Sequence, residues 1–239
     1  MVRIMLCYCY GMAVRRIVNH DFFSTSSPTM AYVLGFFAAD GNMIRTKGGG
    51  FYIGFRITDV VVLHLMRQAM GSTHTIGEKI RRNPREKLQY SLQIGSRKMF
   101  EDLQKYGMTP KKSHSLALPA IPDEYVSHFI RGYFDGDGCI YFKRLQFADR
   151  KNPRWILQSV FTCGSKTFLM DLHTLLKKYG VNGGSIRNKA RGYDLSLSHK
   201  DSLALYSLMY DTISTTDLYL PRKHEKFSQA VQNLYPLRV

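Results

Sequence analysis

Two aspartates stand at equivalent positions of short, glycine-containing motifs in this chain of 239 residues. Asp40 ends the segment LGFFAAD, and Asp137 ends the segment IRGYFDGD. If both segments are helices, each carries two small residues four positions apart on one face, and such a strip lets two helix backbones approach closely. The small residues are Gly35 and Ala39 in the first motif and Gly132 and Gly136 in the second.

Close packing of the two motif helices would bring both carboxylates together at the helix ends. Like charges at short distance repel unless a cation lies between them. Hard oxygen ligands favour Mg²⁺, and a two-metal site suits in-line displacement at a phosphodiester. The alternative for a single Asp-Gly near a helix end is an ordinary turn or cap. Because the two acids occupy matching registers, the sequence predicts a shared catalytic metal site at Asp40 and Asp137.

The segments that follow the two motifs share one order of elements. FYIGFRITD and KLQYSLQIG alternate apolar and polar residues, as half-buried strands do, and each is followed by a helical pattern. ILQSVFTCGS and the hairpin GSIRNKARGYDLSLS repeat this order. We therefore predict an α+β protein of two tandem repeats, each with an antiparallel sheet covered by helices on one face. The predicted boundaries are an N-terminal extension at 1–27, a first repeat at 28–118 and a second repeat at 119–239.

The composition indicates a folded and strongly basic protein. Lys and Arg number 34 against 18 Asp and Glu, a net charge of +16, and 44% of the residues are hydrophobic. A surface this positive attracts polyanions, so nucleic acid is the leading partner class. No apolar run reaches the ~18 residues of a membrane span, and no signal-peptide cleavage site is evident. Four cysteines fit neither a zinc knuckle nor a disulfide framework and are predicted to be reduced packing residues: Cys7, Cys9, Cys139 and Cys163.

The two motifs resemble the signature of the LAGLIDADG homing endonucleases in their single-chain, two-motif form. The nine-residue signature falls on 33–41 as VLGFFAADG and on 130–138 as IRGYFDGDG. The resemblance implies an αββαββα order in each repeat, motif helices packed at a pseudo-twofold axis, and two sheets that form a saddle over the DNA major groove. The sixth motif position is acidic only in the second half, Asp135 against Ala38. In the family the eighth position carries the chemistry, so this departure leaves the predicted activity in place.

The resemblance also implies roles for residues around the acids. It assigns metal binding to Asp40 and Asp137, together with Ala39 and Gly136, and a monomer that cuts double-stranded DNA with Mg²⁺. Mn²⁺ is expected to substitute, whereas Ca²⁺ is expected to bind without supporting cleavage. Lys112 and Lys223 match basic residues that assist the reaction, although Lys111 and Arg222 compete for that role and a solvated lysine or phosphate clamp is the alternative. Asp59 matches a position that orders water near the metal, but it also fits the N-cap of the next helix.

Polar side chains on the strands and loops are the candidate DNA contacts. A two-stranded ribbon fits the major groove, where alternate side chains point at base edges. Basic loop residues suit phosphates, although each of these residues alone could be an ordinary surface residue. Because the two halves differ at these positions, a long pseudo-palindromic or asymmetric target is expected. The candidates are Arg56, Arg81, Arg82, Gln89, Gln93, Arg187, Lys189, Arg191, Asp194 and Ser196.

The sequence therefore favours a site-specific, metal-dependent DNA endonuclease, with a mobile intron as the expected home of its gene. The alternative is a protein on the same fold that binds without cutting, either a DNA-binding regulator or an RNA maturase that assists intron splicing. Members that lose cutting often lose the acids, and both acids are present here. An intein-borne nuclease is disfavoured because the chain lacks room for splicing blocks around the repeats.

Overall fold

The computed structural model describes residues 16–79, 83 and 86–234. The first repeat contains α1 (Pro28–Asp40), β1 (Gly41–Arg45), β2 (Phe51–Ile57), α2 (Val60–Ala69), β3 (Ile76–Glu78), β4 (Tyr90–Gly95) and α3 (Arg97–Lys105). The second contains α4 (Val126–Asp137), β5 (Gly138–Leu145), β6 (Arg154–Cys163), α5 (Lys166–Lys177), β7 (Ser185–Lys189), β8 (Gly192–Leu197) and α6 (His199–Tyr210), followed by α7 (Pro221–Leu234). The predicted αββαββα order is confirmed in both halves.

Each repeat forms one four-stranded antiparallel sheet. The strand orders are β1-β2-β4-β3 and β5-β6-β8-β7, so the two sheets have the same topology. In β2 the alternation predicted from the sequence is confirmed, since Ile53, Phe55 and Ile57 are buried against the helices. The intervening side chains therefore lie on the opposite face, which none of the helices in the described part of the chain covers. The predicted α+β class is confirmed.

The two repeats meet along the motif helices, which pack backbone against backbone. A Cβ atom on Gly35 would overlap the carbonyl oxygen of Phe129, and a Cβ atom on Gly132 would overlap the carbonyl oxygen of Tyr32. Each glycine therefore allows the facing helix to approach more closely than any other residue would permit. This contact fixes where the C-terminal ends of α1 and α4 lie relative to each other.

A buried polar contact joins the repeats beside this glycine contact. The carboxylate of Asp135 accepts hydrogen bonds from the Tyr32 hydroxyl at 2.8 Å and from the backbone N–H of Leu220 at 2.7 Å. Burial raises the pKa of Asp135 to about 6, although Lys223 and these hydrogen bonds counteract the shift. The acid at the sixth motif position thus ties α4 to α1 and to the start of α7.

Helix α7 follows the seven αββαββα elements of the second repeat and was not predicted from the sequence. Its first residue is Pro221, a residue well suited to the first helical turn. Phe227 is fully buried and stands 6.1 Å from the Phe134 ring, centroid to centroid. Buried Arg131 secures the segment before α7 by donating to the carbonyl oxygens of Met209 at 2.6 Å and Leu218 at 2.9 Å. The helix therefore completes the hydrophobic core of the second repeat.

The described part of the N-terminal extension packs on the first repeat. The Thr73 backbone N–H donates to the Ile17 carbonyl at 2.9 Å, and the Ile17 N–H donates to the Thr73 hydroxyl at 2.8 Å. Phe23 is 1% exposed. Residues 16–27 are thus part of the same folded body, while Cys7 and Cys9 lie outside the described residues. Within the described ranges, no helix combines the length and apolar character that a membrane crossing requires.

We expect Gly132→Ala to lower the free energy of unfolding by at least about 3 kcal/mol, because the added Cβ forces two tightly packed helix backbones apart. Urea denaturation of the purified protein measures this difference. Gly48→Ala is the matched control, since nothing lies within 4 Å of a Cβ at that position. An equally small effect of the two substitutions would show that the helices can separate without cost.

Candidate functional site

The two motif acids end their helices at the interface between the repeats. In both motifs the next residue, Gly41 or Gly138, is extended and begins a strand, so the helices stop at equivalent points. A Cβ atom on Gly136 would lie 3.6 Å from Asp40 Oδ2, which places the Asp40 carboxylate against the facing helix. The structure therefore brings together the residues that the sequence placed in one metal site.

The acids share one electrostatic environment. Burial and, second to it, the negative charge of Asp40 raise the pKa of Asp137 to about 6. Asp40 is partly exposed to solvent. The surrounding protein nevertheless removes enough water from its carboxyl group to raise the pKa of this acid as well. Lys112 and Lys223 lower both pKa values, so two acids and two lysines interact across the repeat interface.

The two lysines occupy matching positions beneath the helix ends. The ammonium group of Lys112, in a short 3-10 helix at Lys112–His114, donates to the Gly41 carbonyl, and that of Lys223 donates to the equivalent Gly138 carbonyl at 2.6 Å. They are 7% and 6% exposed, so the alternative of a solvated lysine is wrong for both.

Lys223 makes the more extensive set of contacts. Its ammonium group also donates to the carbonyl oxygens of Phe134 at 2.6 Å and Asp135 at 2.8 Å, which lie in the last turn of α4. A cation at this end offsets the partial negative charge of the helix. Burial lowers the pKa of Lys223 to about 8, while the nearby acids favour its charged form. Gly136, a predicted metal-site residue, has its carbonyl 3.4 Å from the same ammonium group.

Asp59 stands at the N-cap position of α2 but does not cap the helix. The predicted N-cap position is therefore confirmed, but the side chain makes no capping hydrogen bond. Instead it accepts two hydrogen bonds from Arg222 of the other repeat, at 2.9 Å from Nε and 2.8 Å from Nη2. These bonds lower the pKa of Asp59. Its sequence counterpart, Ser165, does cap α5 by accepting from the Phe168 N–H, so the two halves differ here.

A cavity of about 190 Å³ is lined both by this ion pair and by Asp40. It lies between the repeats and is lined by residues from both of them. Arg222 thus forms an ion pair with Asp59 at this cavity, whereas the neighbouring Lys223 binds carbonyl oxygens at the end of α4. The lining includes Asp40, Arg56, Asp59, Gln89, Gly136 and Arg222.

The uncovered sheet face of the first repeat, which we call the first open face, carries three rows of opposed residues. Strand register places them directly across from one another, with the near row beside the cavity. Predicted contacts Arg56 and Gln93 lie on this face, and Gln89 lines the cavity beside it. The near row is Arg56, Ser91 and Gly77, the middle row Asn42, Gly54 and Gln93, and the outer row Ile44, Tyr52 and Gly95.

The uncovered face of the second sheet, which we call the second open face, carries a different set of side chains at the corresponding positions. Asp194 accepts hydrogen bonds from the Thr162 hydroxyl at 2.6 Å and from the Lys189 ammonium at 2.9 Å. The predicted DNA contacts Asp194 and Lys189 are therefore also bonded to each other. Arg187 stands directly opposite Asp194, and Ser196 lies on the same face. Arg191 lies in the turn between β7 and β8, off the strands. Arg81 and Arg82 lie outside the described residues.

Strand β5 supplies residues that the sequence reading missed. Tyr141 and Lys143 lie on the second open face, opposite Gln158 and Ile156. The alternation in GCIYFKRL, directly after the motif, was the available signal. Cys139 is exposed on this face and Cys163 is buried, and both are free thiols. The packing role predicted for Cys139 is therefore wrong.

Comparison with known proteins gives the class. Residues 124–210 match the family model described as a LAGLIDADG-like domain. The LAGLIDADG homing endonuclease I-SmaMI, solved bound to cleaved DNA, has a TM-score of 0.59 at 13% identity, covering 87% of this chain and 88% of that one. I-AabMI, a LAGLIDADG meganuclease solved with uncleaved DNA, has a TM-score of 0.59 at 14% identity, covering 87% and 91%. The fold is therefore that of the single-chain LAGLIDADG proteins.

Within the second repeat, residues 124–210 match a LAGLIDADG-like domain, and the chain as a whole has the fold of the single-chain LAGLIDADG homing endonucleases, which confirms the resemblance for the fold. An uncharacterized protein of Methanocaldococcus jannaschii is 20% identical over 222 residues, 87% of this chain and 73% of that protein. A probable translation initiation factor IF-2 of Thermococcus kodakarensis is 35% identical over 75 residues, 30% of this chain and only 6% of that factor.

The residues at the helix ends fit a hard divalent cation. Within the described part of the chain, no three His, Cys, Asp or Glu side chains form a ready metal cage. Mg²⁺, however, is commonly held by one or two carboxylates with water and substrate phosphates completing the shell. Burial and, after it, the negative charge of Asp40 raise the pKa of Asp137, and a shared cation would relieve both the lost hydration and the repulsion between the two acids.

We expect Asp137→Asn to stabilise the metal-free protein by about 1–2 kcal/mol at pH 8 and to have no such effect near pH 4. The folded-state pKa of Asp137, about 6, lies above its ordinary value of 3.8. Its contribution to stability is therefore fully present below about pH 4 and is lost as the pH rises through about 6, whereas asparagine stays neutral. Urea denaturation in EDTA at both pH values measures the difference. Exposed Asp149→Asn is the control, and a pH-independent effect of Asp137→Asn would contradict the prediction.

Proposed function

We propose that this protein is a site-specific endonuclease that hydrolyses double-stranded DNA with a divalent metal ion, Mg²⁺ being the expected one. The observation that carries the proposal is the convergence of Asp40 and Asp137, one from each repeat, at paired helix ends. Open, polar sheet faces stand on either side of this point in a chain of net charge +16. An anionic duplex is the ligand that such a surface fits.

The chain's own residues would position the reacting phosphates and balance their charge. Asp40 and Asp137, with the adjacent backbone of Ala39 and Gly136, would hold the metal. When bound, Mg²⁺ supplies polarisation of the phosphodiester and an acidified water. Lys112 and Lys223 hold the helix ends through backbone carbonyls and place positive charge where the phosphate gains negative charge.

The duplication gives one set of these groups for each DNA strand. Each repeat contributes one acid and one buried lysine at equivalent positions, which suits two cuts that together make a double-strand break. The two sets are not identical, because the Asp59–Arg222 ion pair has no counterpart at Ser165 and Lys111. Asp59 borders the same cavity as Asp40, so we assign it to the ordering of water on that side only.

Solved structures with a similar fold support the proposed endonuclease activity. They include I-SmaMI bound to cleaved DNA, and I-SmaMI bound to an uncleaved target in the presence of calcium ions, which matches this chain with a TM-score of 0.54. The pairing of calcium with uncleaved DNA is the behaviour that we propose for this chain, with Mg²⁺, or Mn²⁺ in its place, supporting cleavage. We further propose that the protein acts as a monomer and that its gene resides in a mobile intron.

The direct test is incubation of the purified protein with duplex DNA and Mg²⁺. The substrates are the intron-free insertion site, where an intron surrounds the gene, and a randomised duplex library from which cleaved molecules are sequenced. Recurrent double-strand breaks at one sequence support the proposal. Binding to a specific duplex or RNA without any nicking would instead favour the DNA-binding regulator or the RNA maturase.

We expect Asp40→Asn and Asp137→Asn to reduce double-strand cleavage at least about a hundredfold while leaving affinity in Ca²⁺ largely intact. Each substitution removes a negative ligand but keeps the shape of the side chain. Single-turnover cleavage assays and filter binding on the same duplex separate the two effects. Asp149→Asn serves as a matched surface control. Undiminished cutting by both motif variants would refute the assignment of these acids.

Affinity for the duplex should fall steeply with salt. Each phosphate that Lys or Arg neutralises releases counterions, so six to ten such contacts would weaken binding by about 10³–10⁵ between 50 and 200 mM salt. Equilibrium binding across that range, at constant Ca²⁺, gives the slope. A flat salt dependence would contradict a surface that follows the DNA backbone on both sheets.

A further inference from the structure

One apolar residue interrupts the first open face. Ile44 is 41% exposed, and among the exposed large hydrophobic residues in the described part of the chain it is the one on an open sheet face. The others lie on helices, in the N-terminal segment, or on the helix-covered side of a strand: Val61, Met170, Ile17 and Trp155.

The neighbours of Ile44 extend this apolar surface. Tyr52 stands directly across from Ile44 on the neighbouring strand, and the Cβ atoms of such cross-strand pairs are about 5 Å apart. The next residue of the row is Gly95, and a Cβ atom there would lie 3.3 Å from the Tyr52 ring. The ring therefore extends over the glycine, and the outer row presents an aliphatic side chain beside an aromatic ring.

The rows closer to the acids have the opposite character. Arg56 in the near row suits guanine, and Asn42 and Gln93 in the middle row suit adenine, because each can form paired hydrogen bonds to a base edge. An aliphatic side chain cannot form hydrogen bonds to a base edge. In the major groove the one apolar group on a base edge is the 5-methyl of thymine.

We propose that Ile44 and Tyr52 form a contact site for a thymine 5-methyl group in the DNA half-site that the first repeat covers. This rests on the proposed function, since it names a chemical feature of that substrate. Burying a methyl group and an exposed isoleucine together removes apolar surface from water on both sides. The corresponding row of the second sheet, Tyr141 and Gln158, offers no aliphatic side chain, and the aliphatic residues in its other rows, Val160 and Ile156, are only partly exposed, so we expect the preference in the first half-site.

Strand geometry predicts where this thymine lies. Successive rows are two residues apart, about 7 Å along the strand, which matches about two base pairs of a duplex with 3.4 Å steps. The outer row is two rows from Arg56. The thymine should therefore lie about four base pairs outward from the base pair whose recognition depends on Arg56, on the side away from the cut.

The test uses duplexes of the cleaved target in which single thymines are replaced by deoxyuridine, which lacks only the methyl group. Dissociation constants are measured in Ca²⁺ for every thymine of both half-sites. For the wild type we expect one position to bind about threefold to fivefold more weakly as deoxyuridine. For Ile44→Ala the ratio between uracil and thymine at that position should fall to about one.

Three further variants make the outcome specific. Met170→Ala, at an exposed position on α5, should keep the wild-type ratio, and Ile44→Val should keep most of it. Arg56→Ala locates the reference base pair. The ratio is taken on one protein preparation, so a loss of folded protein affects both measurements equally.

Several results would overturn the proposal. They are a methyl effect that persists in Ile44→Ala, the absence of any methyl effect in that half-site, and a target with no thymine about four base pairs outward from the Arg56-dependent pair. In each of these cases the DNA is still bound and cut, so the proposed function stands. Absence of specific binding to any duplex would overturn both.

Discussion

The contact between two helix backbones at Gly35 and Gly132 is the constraint on which the structure depends. With any larger residue at these points, the Phe129 and Tyr32 carbonyls would be displaced and the helices would separate. The ends of the helices, and with them Asp40 and Asp137, would then move apart. Burial, followed by repulsion from Asp40, raises the pKa of Asp137, so the fold accepts an electrostatic cost to bring these acids together. Natural sites of this kind commonly sacrifice stability for function.

Much of the fold and of the candidate site could be predicted from the sequence because the two repeats can be compared with each other. A single Asp-Gly is uninformative, whereas two in equal registers predicted both the helix pair and the site at its end. Alternation of apolar and polar residues likewise predicted β2 and β4, since burial on one face imposes a period of two. Lys112 and Lys223 were singled out by position after each repeat, and the structure brings both beneath the helix ends.

Other features depend on contacts that no local pattern encodes. Asp59 reads as a helix cap from its neighbours in sequence, but its partner is Arg222, far away in the chain. Asp135 stands in a motif position that carries no chemistry, yet it binds Tyr32 and Leu220 across the interface. Cys139 was expected to pack, but strand register turns it to the open face. Helix α7 has no equivalent helix in the described part of the first repeat, so symmetry could not predict it.

The cross-repeat bonds of Asp135 and Asp59 limit how far the two halves behave as interchangeable modules. A homodimer built from two copies of the first repeat would set Tyr32 against Ala38 instead of Asp135, leaving a buried hydroxyl without its acceptor. It would also set Asp59 against Lys111, which lacks the planar fork of Arg222. Each half is therefore matched to its partner, and chimeras with related halves would need these pairs transferred together.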